Sequence, residues 1–311
     1  MMHLITFKYK DATKIGAKIN DDVIDLKNAY LYFQKRSSKE VKLFNDMRLF
    51  LESGEEGLDL AKRIIEKVNF VLKESPDALS EKINKRILLK LREIQVKAPI
   101  CNPQKIIAIG LNYRDHCKEN SIEPPKNPVI FAKFPSAIIG PTDSIIWSSQ
   151  VTSQVDYEAE LAVIIGRKAK GVKVIRALDY IAGYTIANDV SARDIQVRDG
   201  QWVRAKSLDT FCPLGPCLVT KDEIDNPHNL NIKSTVNGKV MQQSNTKYLI
   251  FKIPYLASFL SQAFTLCPGD IICTGTPAGV GVYRNPQVFL KPGDVVTIEI
   301  EKLGKLTNPV R

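Results

Sequence analysis

The stretch Asp156-Tyr157-Glu158-Ala159-Glu160-Leu161-Ala162-Val163-Ile164-Ile165-Gly166 joins two spaced acids to an unbroken apolar run that stops at a glycine. Its β-branched second half reads as a buried strand. Side chains two apart on a strand share a face, so Glu158 and Glu160 point the same way. Two carboxylates so placed repel each other in a low-dielectric setting and need a proton, an Arg or Lys, or a metal ion. Oxygen donors of this kind suit Mg²⁺, Mn²⁺ or Ca²⁺. A strand with one wet face is the bland alternative for Glu-x-Glu, and the apolar run that follows at once argues against it.

The rest of the 311-residue chain sets the bounds: 44% hydrophobic and 25% charged residues are those of a globular protein, long enough for two domains. No apolar run reaches the length of a membrane span. Six scattered cysteines without a Cys-x-x-Cys pair read as reduced thiols of an intracellular protein. The net charge of +10 suits an anionic small-molecule substrate. No zinc finger, RNP motif or aromatic–basic interleaving points to nucleic acid. The densest lysine cluster, 82–97, reads as a solvated face. No Arg-rich, acid-free leader is visible, which leaves a cytoplasmic location, or a mitochondrial one without a visible leader.

Residues 1–98 read as a small α+β domain and 99–311 as the part that carries chemistry. Leu4 to Phe7, Ile15 to Ile19 and Val23 to Leu26 are strand-like, with an Asn20-Asp21 turn. Residues 38–74 are helical by period, with Leu58, Ala61, Ile64, Ile65, Val68 and Val71 on one face. Ser53-Gly54 splits the run, and Ser75-Pro76 ends it. From Lys105 the texture changes to short strands and Gly/Pro turns. Residues 105–110 are a strand. Residues 178–186 begin helical and become a strand after Gly183. Asn237-Gly238 is a type I′ hairpin signal. Pro268-Gly269-Asp270 and Pro292-Gly293-Asp294 each precede a strand. The picture is a β-rich roll or sandwich with helices outside it.

Three features accompany the Glu pair. Asp189 stands where a strand gives way to a helix; it completes a facial set of oxygens, or it caps that helix. His116 and Glu119 are three apart, so on a helix the carboxylate orients the imidazole for general-base work, unless the two are a surface pair. His3 and His228, the other two histidines, lie in an opening strand and a Pro-flanked turn. The loop Thr274-Gly275-Thr276-Pro277-Ala278-Gly279-Val280-Gly281 follows a strand and offers backbone N–H groups to a carboxylate. It is neither a dinucleotide fingerprint nor a P-loop. Lys206, read as part of a semi-polar strand, either supplies positive charge to an anion or is solvated.

In order, these motifs are Gly-x-Asn-Tyr-x-x-His-x-x-Glu (110–119), Glu-x-Glu-Leu (158–161), Asp-x-Ser-Ala-Arg-Asp (189–194), Lys-Ser-x-Asp (206–209) and Thr-Gly-Thr-Pro-x-Gly-Val-Gly (274–281). Together they resemble the fumarylacetoacetate hydrolase superfamily over roughly residues 100 to 311. The text at 211–216 and 237–238 resembles one branch of it. The resemblance implies an α+β fold with a mixed β-roll or sandwich core and a small N-terminal α+β domain, assembled as a homodimer. It implies Glu158, Glu160 and Asp189 as ligands of Mg²⁺, with Mn²⁺ or Ca²⁺ as alternatives. It places a catalytic His116–Glu119 dyad on a lid over the substrate, a catalytic charge on Lys206, and substrate contacts on Arg193, Gln196, Lys206 and Thr276. The family's chemistries share the metal-bound enolate of a small anionic 2-oxo acid. The branch implies oxaloacetate keto–enol tautomerisation, with acylpyruvate hydrolysis or oxaloacetate decarboxylation next, and relatives that tend to be mitochondrial. A non-enzymatic, metal-stabilised binding protein is the reading of another class. The hydrolase that names the family uses a further carboxylate upstream of its His. Here that stretch is Leu111-Asn112-Tyr113, which argues against fumarylacetoacetate itself.

Overall fold

β1 (His3–Tyr9), β2 (Ala12–Ile19) and β3 (Asp22–Asp25) form an antiparallel meander. Its second turn carries Asn20 at φ 53°, the left-handed geometry that asparagine tolerates. The computed structural model describes residues 2–33, 41–74 and 86–311. A helix, Leu26–Phe33, starts directly after β3, which the strand-like reading of Val23 to Leu26 does not anticipate. Asp25 is the reason: its Oδ1 accepts from the Asn28 N–H at 3.0 Å and caps the new helix. The long helical run is cut twice. Asp46 caps the helix Met47–Glu52, and Gly54 (φ 65°) opens the helix Gly54–Glu74. Ala61, Ile64, Ile65 and Val68 of the latter are buried, as their period predicts. Residues 38–40, 75–76 and 82–85 of the earlier expectations lie outside the described residues.

β4 (Leu88–Lys90) and β5 (Gln95–Lys97) replace the solvated face expected over the rest of 82–97. β4 pairs with β3, β5 pairs with β1, and Ile87 and Leu89 are buried. The remaining strands are β6 (Ile106–Gly110), β7 (Val129–Lys133), β8 (Ile138–Ile139), β9 (Val155–Asp156), β10 (Ala159–Ile165), β11 (Ile181–Asn188) and β12 (Ser191–Ala192). After them come β13 (Cys212–Thr220), β14 (Asn231–Val236), β15 (Lys239–Asn245), β16 (Ile271–Cys273), β17 (Val295–Ile300) and β18 (Gly304–Pro309). β11 begins at Ile181 rather than after Gly183. Gly183 lies inside it because a Cβ there would sit 2.0 Å from the Val219 carbonyl of β13.

A mixed sheet runs β4-β3-β2-β1-β13-β11-β10-β16-β6-β7, with β5 on β1 and β8 on β13. The β16–β6 and β13–β8 pairs are parallel. β15-β14-β17-β18 form a second, antiparallel sheet, and the tight turn of its hairpin holds Asn237 and Gly238 at φ 51° and 78°. β10 is buried on both faces: Leu161, Val163 and Ile165 pack into one apolar cluster, Ala162 and Ile164 into another. The fold is therefore α+β around a mixed β core. The six cysteines are unpaired. No helix among the described residues is long and apolar enough to cross a membrane.

Candidate active site

β10 and β11 end side by side, and that register builds the centre. Ala159 faces Asn188, so the residues just beyond the pair, Glu158 and Asp189, meet. The Asp189 N–H donates to the Glu158 carbonyl at 3.0 Å, and the Asn188 side-chain oxygen accepts from the Glu158 N–H at 3.0 Å. One carboxylate oxygen each from Glu158, Glu160 and Asp189 lies within 4.8 Å of the others, and all three side chains are buried. Asp189 is not a helix cap. The next helix, Arg193–Asp199, starts four residues later with Ala192 at its N-cap position.

Three buried cations face these acids. Lys206 Nζ lies 2.8 Å from both Glu158 Oε2 and Asp189 Oδ2. It sits on a short helix, Val203–Lys206, not on a strand; the turn brings it under the carboxylates with 2% of its side chain exposed. Arg193 bridges Asp156 (2.9 Å) and Glu158 (2.6 Å), and its third contact is the Gln196 oxygen at 2.9 Å. Lys133, from β7, holds Asp189 Oδ1 at 2.6 Å and also donates to the Val190 and Lys206 carbonyls. Burial opposes ionisation of Glu158, but Lys206 and Arg193 outweigh it and hold its carboxyl down at about 2. Burial likewise works against the Lys206 ammonium, and the Asp189 and Glu158 carboxylates more than offset it.

Glu160 is the odd acid. Among the described residues it has no ion-pair partner; its Oε2 accepts the Gly275 N–H at 2.8 Å. Burial, then the neighbouring Asp189 and Glu158 charges, push its carboxyl well above the usual carboxylate range. Four acids (Asp156, Glu158, Glu160, Asp189) thus share three cations, and the cluster is short of positive charge on its Glu160 side. An all-oxygen donor set with that deficit fits a hard divalent cation.

The glycine-rich loop does hold carboxylates, and they are the protein's own. Gly275 N–H serves Glu160. Gly279 N–H reaches both oxygens of Glu119 at 2.9 and 3.1 Å, and the Gly281 and Val282 N–H groups take Asp156 at 2.7 and 3.0 Å. Gly275 and Gly279 have φ of 102° and 103°, backbone that favours glycine. Glu119 so fixed lies 3.4 Å from His116 Nδ1, on one turn of the helix Arg114–Glu119. That separation is long for a hydrogen bond, and among the described residues Nδ1 has no closer partner. Leu111, just before this helix, is held at φ 52°.

His116, Glu158, Glu160, Arg193, Gln196, Lys206 and Thr276 all line one cavity of about 130 Å³, closed by Ile109, Leu111, Ile122, Phe131, Trp202 and Tyr283. Glu119 and Asp189 stand directly behind the His116 and Lys206 parts of its wall through the contacts above. Sequence reasoning missed Lys133, Asp156 and Gln242. Lys133 did leave a signal: it lies two residues after Phe131 on an apolar strand, on that residue's face. Nothing local marks Gln242.

This fold and acidic pocket define a member of the fumarylacetoacetate hydrolase family: the family's C-terminal domain, described as "Fumarylacetoacetate (FAA) hydrolase C-terminal", matches residues 105–311, and the chain belongs to it. The chain is 46% identical over 315 residues to the protein of Xenopus laevis named "Oxaloacetate tautomerase fahd2, mitochondrial", covering 99% of this chain and 90% of that one. It is 47% identical over 266 residues to "Oxaloacetate tautomerase FAHD2A, mitochondrial" of Homo sapiens, covering 85% of this chain and 79% of that one. Among solved structures it is similar to a fumarylacetoacetate hydrolase from Exiguobacterium antarcticum, with a TM-score of 0.80 and 31% identity over 100% of this chain and 99% of that one.

Proposed function

We propose that this chain is a divalent-metal-dependent oxaloacetate keto–enol tautomerase. One observation carries the reading: an imidazole with a carboxylate at its back, a buried lysine and the Glu158/Glu160 carboxylates open on the same small cavity. That cavity is well below the roughly 300–1,000 Å³ of pockets that take drug-sized ligands, which suits a small dicarboxylate. The names of the relatives point the same way, toward oxaloacetate and toward a mitochondrial location.

Glu158, Glu160 and Asp189 are the residues that would hold the cation, with Mg²⁺ first and Mn²⁺ or Ca²⁺ as alternatives. When bound, it supplies the positive charge that polarises the substrate's 2-oxo group. Lys206 adds a fixed ammonium beside the same oxygens. His116, backed by Glu119, takes the C3 proton in the keto-to-enol direction, where the 2-oxygen gains a proton, and delivers a proton to C3 in the reverse direction, where the 2-oxygen loses one, a contribution of roughly 10²–10⁴-fold. Gln196 and Thr276 bound the substrate. Arg193 spends its guanidinium on Asp156, Glu158 and Gln196, so its part in substrate binding runs through those contacts. We further propose residues 1–98 as a small N-terminal domain and 99–311 as the catalytic one. The proposed homodimer is supported by edge strand β7, which leaves Ile130 exposed, with exposed Phe134 directly after it.

Ultraviolet absorbance of freshly dissolved oxaloacetate, with and without Mg²⁺ and coupled to a pyruvate assay, tests the reading. Fast metal-dependent decay of the enol signal without pyruvate supports a tautomerase. Pyruvate formed in step with substrate loss replaces it with a decarboxylase, and acylpyruvates are then assayed for hydrolysis. Silence toward every 2-oxo acid favours a binding protein.

A further inference from the structure

Gln242 is 1% exposed, and every hydrogen-bonding position of its amide is used. The register between β14 and β15 slips between Ser234 and Thr235, so Ser234 faces Gln242 while Thr235 faces Val240, and Met241 is the extra residue. Such a bulge re-aims the side chain beside it. Gln242 Oε1 accepts from the Ala159 N–H at 2.9 Å and from Ser234 Oγ at 3.0 Å. Its Nε2 donates to the Pro277 carbonyl at 2.9 Å and to Thr276 Oγ1 at 2.7 Å.

Two backbone groups settle which end of the amide is which. The Ala159 N–H can only donate and so must meet the oxygen; the Pro277 carbonyl can only accept and so must meet the NH₂. The second NH₂ proton then has one place to go, Thr276 Oγ1, which acts as an acceptor in that bond. The proton of the Thr276 hydroxyl is thereby turned away from Gln242. Among the described residues it meets no protein acceptor, and the side chain lines the cavity that Glu160 and Lys206 also line.

We infer that Gln242 is a positioning residue that commits the Thr276 hydroxyl as a hydrogen-bond donor into the cavity, where it receives an anionic oxygen of a 2-oxo acid. The inference rests on the proposed 2-oxo acid chemistry and adds the device that orients one wall of the site. It also joins two parts of that site. The same amide grips the Ala159 N–H, between Glu158 and Glu160, and Thr276, next to the Gly275 N–H that serves Glu160.

The test is calorimetric binding of glyoxylate, a 2-oxo acid without a C3 proton, to the Mn²⁺-loaded protein. Because nothing turns over, the readout is independent of the reaction catalysed. Thr276→Val should weaken glyoxylate by about 10- to 100-fold, the usual worth of a hydrogen bond to a charged group. It should leave Mn²⁺ affinity unchanged, and Thr276→Ser should restore glyoxylate binding. Gln242→Glu, buried and protonated so that its hydroxyl donates to the Pro277 carbonyl, presents Thr276 with an oxygen that accepts its proton, so it should match Thr276→Val and add nothing to it in the double variant. If Gln242→Glu loses as much again in the Thr276→Val background, Gln242 acts by charge or by folding, and the inference fails. It also fails if Thr276→Val binds glyoxylate like the wild type. A wild type that binds no glyoxylate overturns the 2-oxo acid reading itself, and this inference with it.

Discussion

Lys133 and Asp189 form an ion pair of 2.6 Å in which neither side chain reaches solvent. A lysine is buried like this only when its charge is matched and its protons are bonded. Here Asp189 supplies the charge, and the Val190 and Lys206 carbonyls take the remaining protons. Lys133 ends β7 and Asp189 directly follows β11, with β10, β16 and β6 between those two strands in the sheet. The pair therefore ties the edge of the sheet to the end that carries the acidic cluster.

Lys133→Met should therefore cost more than an ordinary surface lysine. Removing one partner of a buried pair is worth about 3–5 kcal/mol, because the other charge stays behind. Urea unfolding of the metal-free variant should show a loss in that range, and saturating Mn²⁺ should recover part of it by binding only the folded state. A loss below about 0.5 kcal/mol, the surface-substitution range, would show that Lys206 alone suffices for Asp189.

His116→Ala should reduce oxaloacetate turnover by about 10²–10⁴-fold, the worth of a general base, while Mn²⁺ affinity stays close to wild type. Glu119→Gln keeps the Gly279 contact but loses the charge behind the imidazole, and should fall between the two. Collapse of metal binding in His116→Ala would undo the division of labour proposed here.

Glu158→Ala should release the metal and leave Lys206 and Arg193 each short of one acceptor. Isothermal titration with Mn²⁺ reads the first effect. Full turnover in that variant with a chelator present would remove the cation from the mechanism.

His228 gives a pH dependence far from the cavity. Its Nε2 accepts the Ile253 N–H at 3.1 Å, which only the neutral ring can do. Burial, reinforced by Lys252, pulls its pKa from 6.5 to about 4. The unfolded chain thus binds the proton more readily than the folded one between those values, so this contribution is present above pH 6.5 and is lost as pH falls toward 4. Unfolding midpoints measured at pH 7 and pH 5 should drop for the wild type. The drop should shrink for His228→Gln, which keeps an acceptor and does not titrate.

The local pairs of the candidate site were more legible than the partners that neutralise them. Glu158 and Glu160 were readable because they stand two apart in extended chain at the start of β10, and His116 and Glu119 because they share one helical turn; a fixed local period sets which side chains share a face. The same logic found the buried face of the helix Gly54–Glu74 and the Asn237-Gly238 turn. It failed at Lys206, whose strand-like text Arg204-Ala205-Lys206 forms a helical turn. It failed again at the lysine-rich stretch before Lys97, where charged residues flank Ile87 and Leu89 of the sheet edge.

What the sequence determined by itself was the identity and spacing of the acids, the dyad and the glycine loop, since those follow from residue type and local geometry. Tertiary structure alone decided who neutralises whom. Asp189 joins the glutamates through the register of β10 on β11. Lys133 reaches Asp189 across 56 residues of chain, and Gln242 reaches Ala159 across 83. These partners are chosen by strand pairing and burial. A buried charge or amide must find its complement wherever the fold brings one, and no local pattern records where that will be.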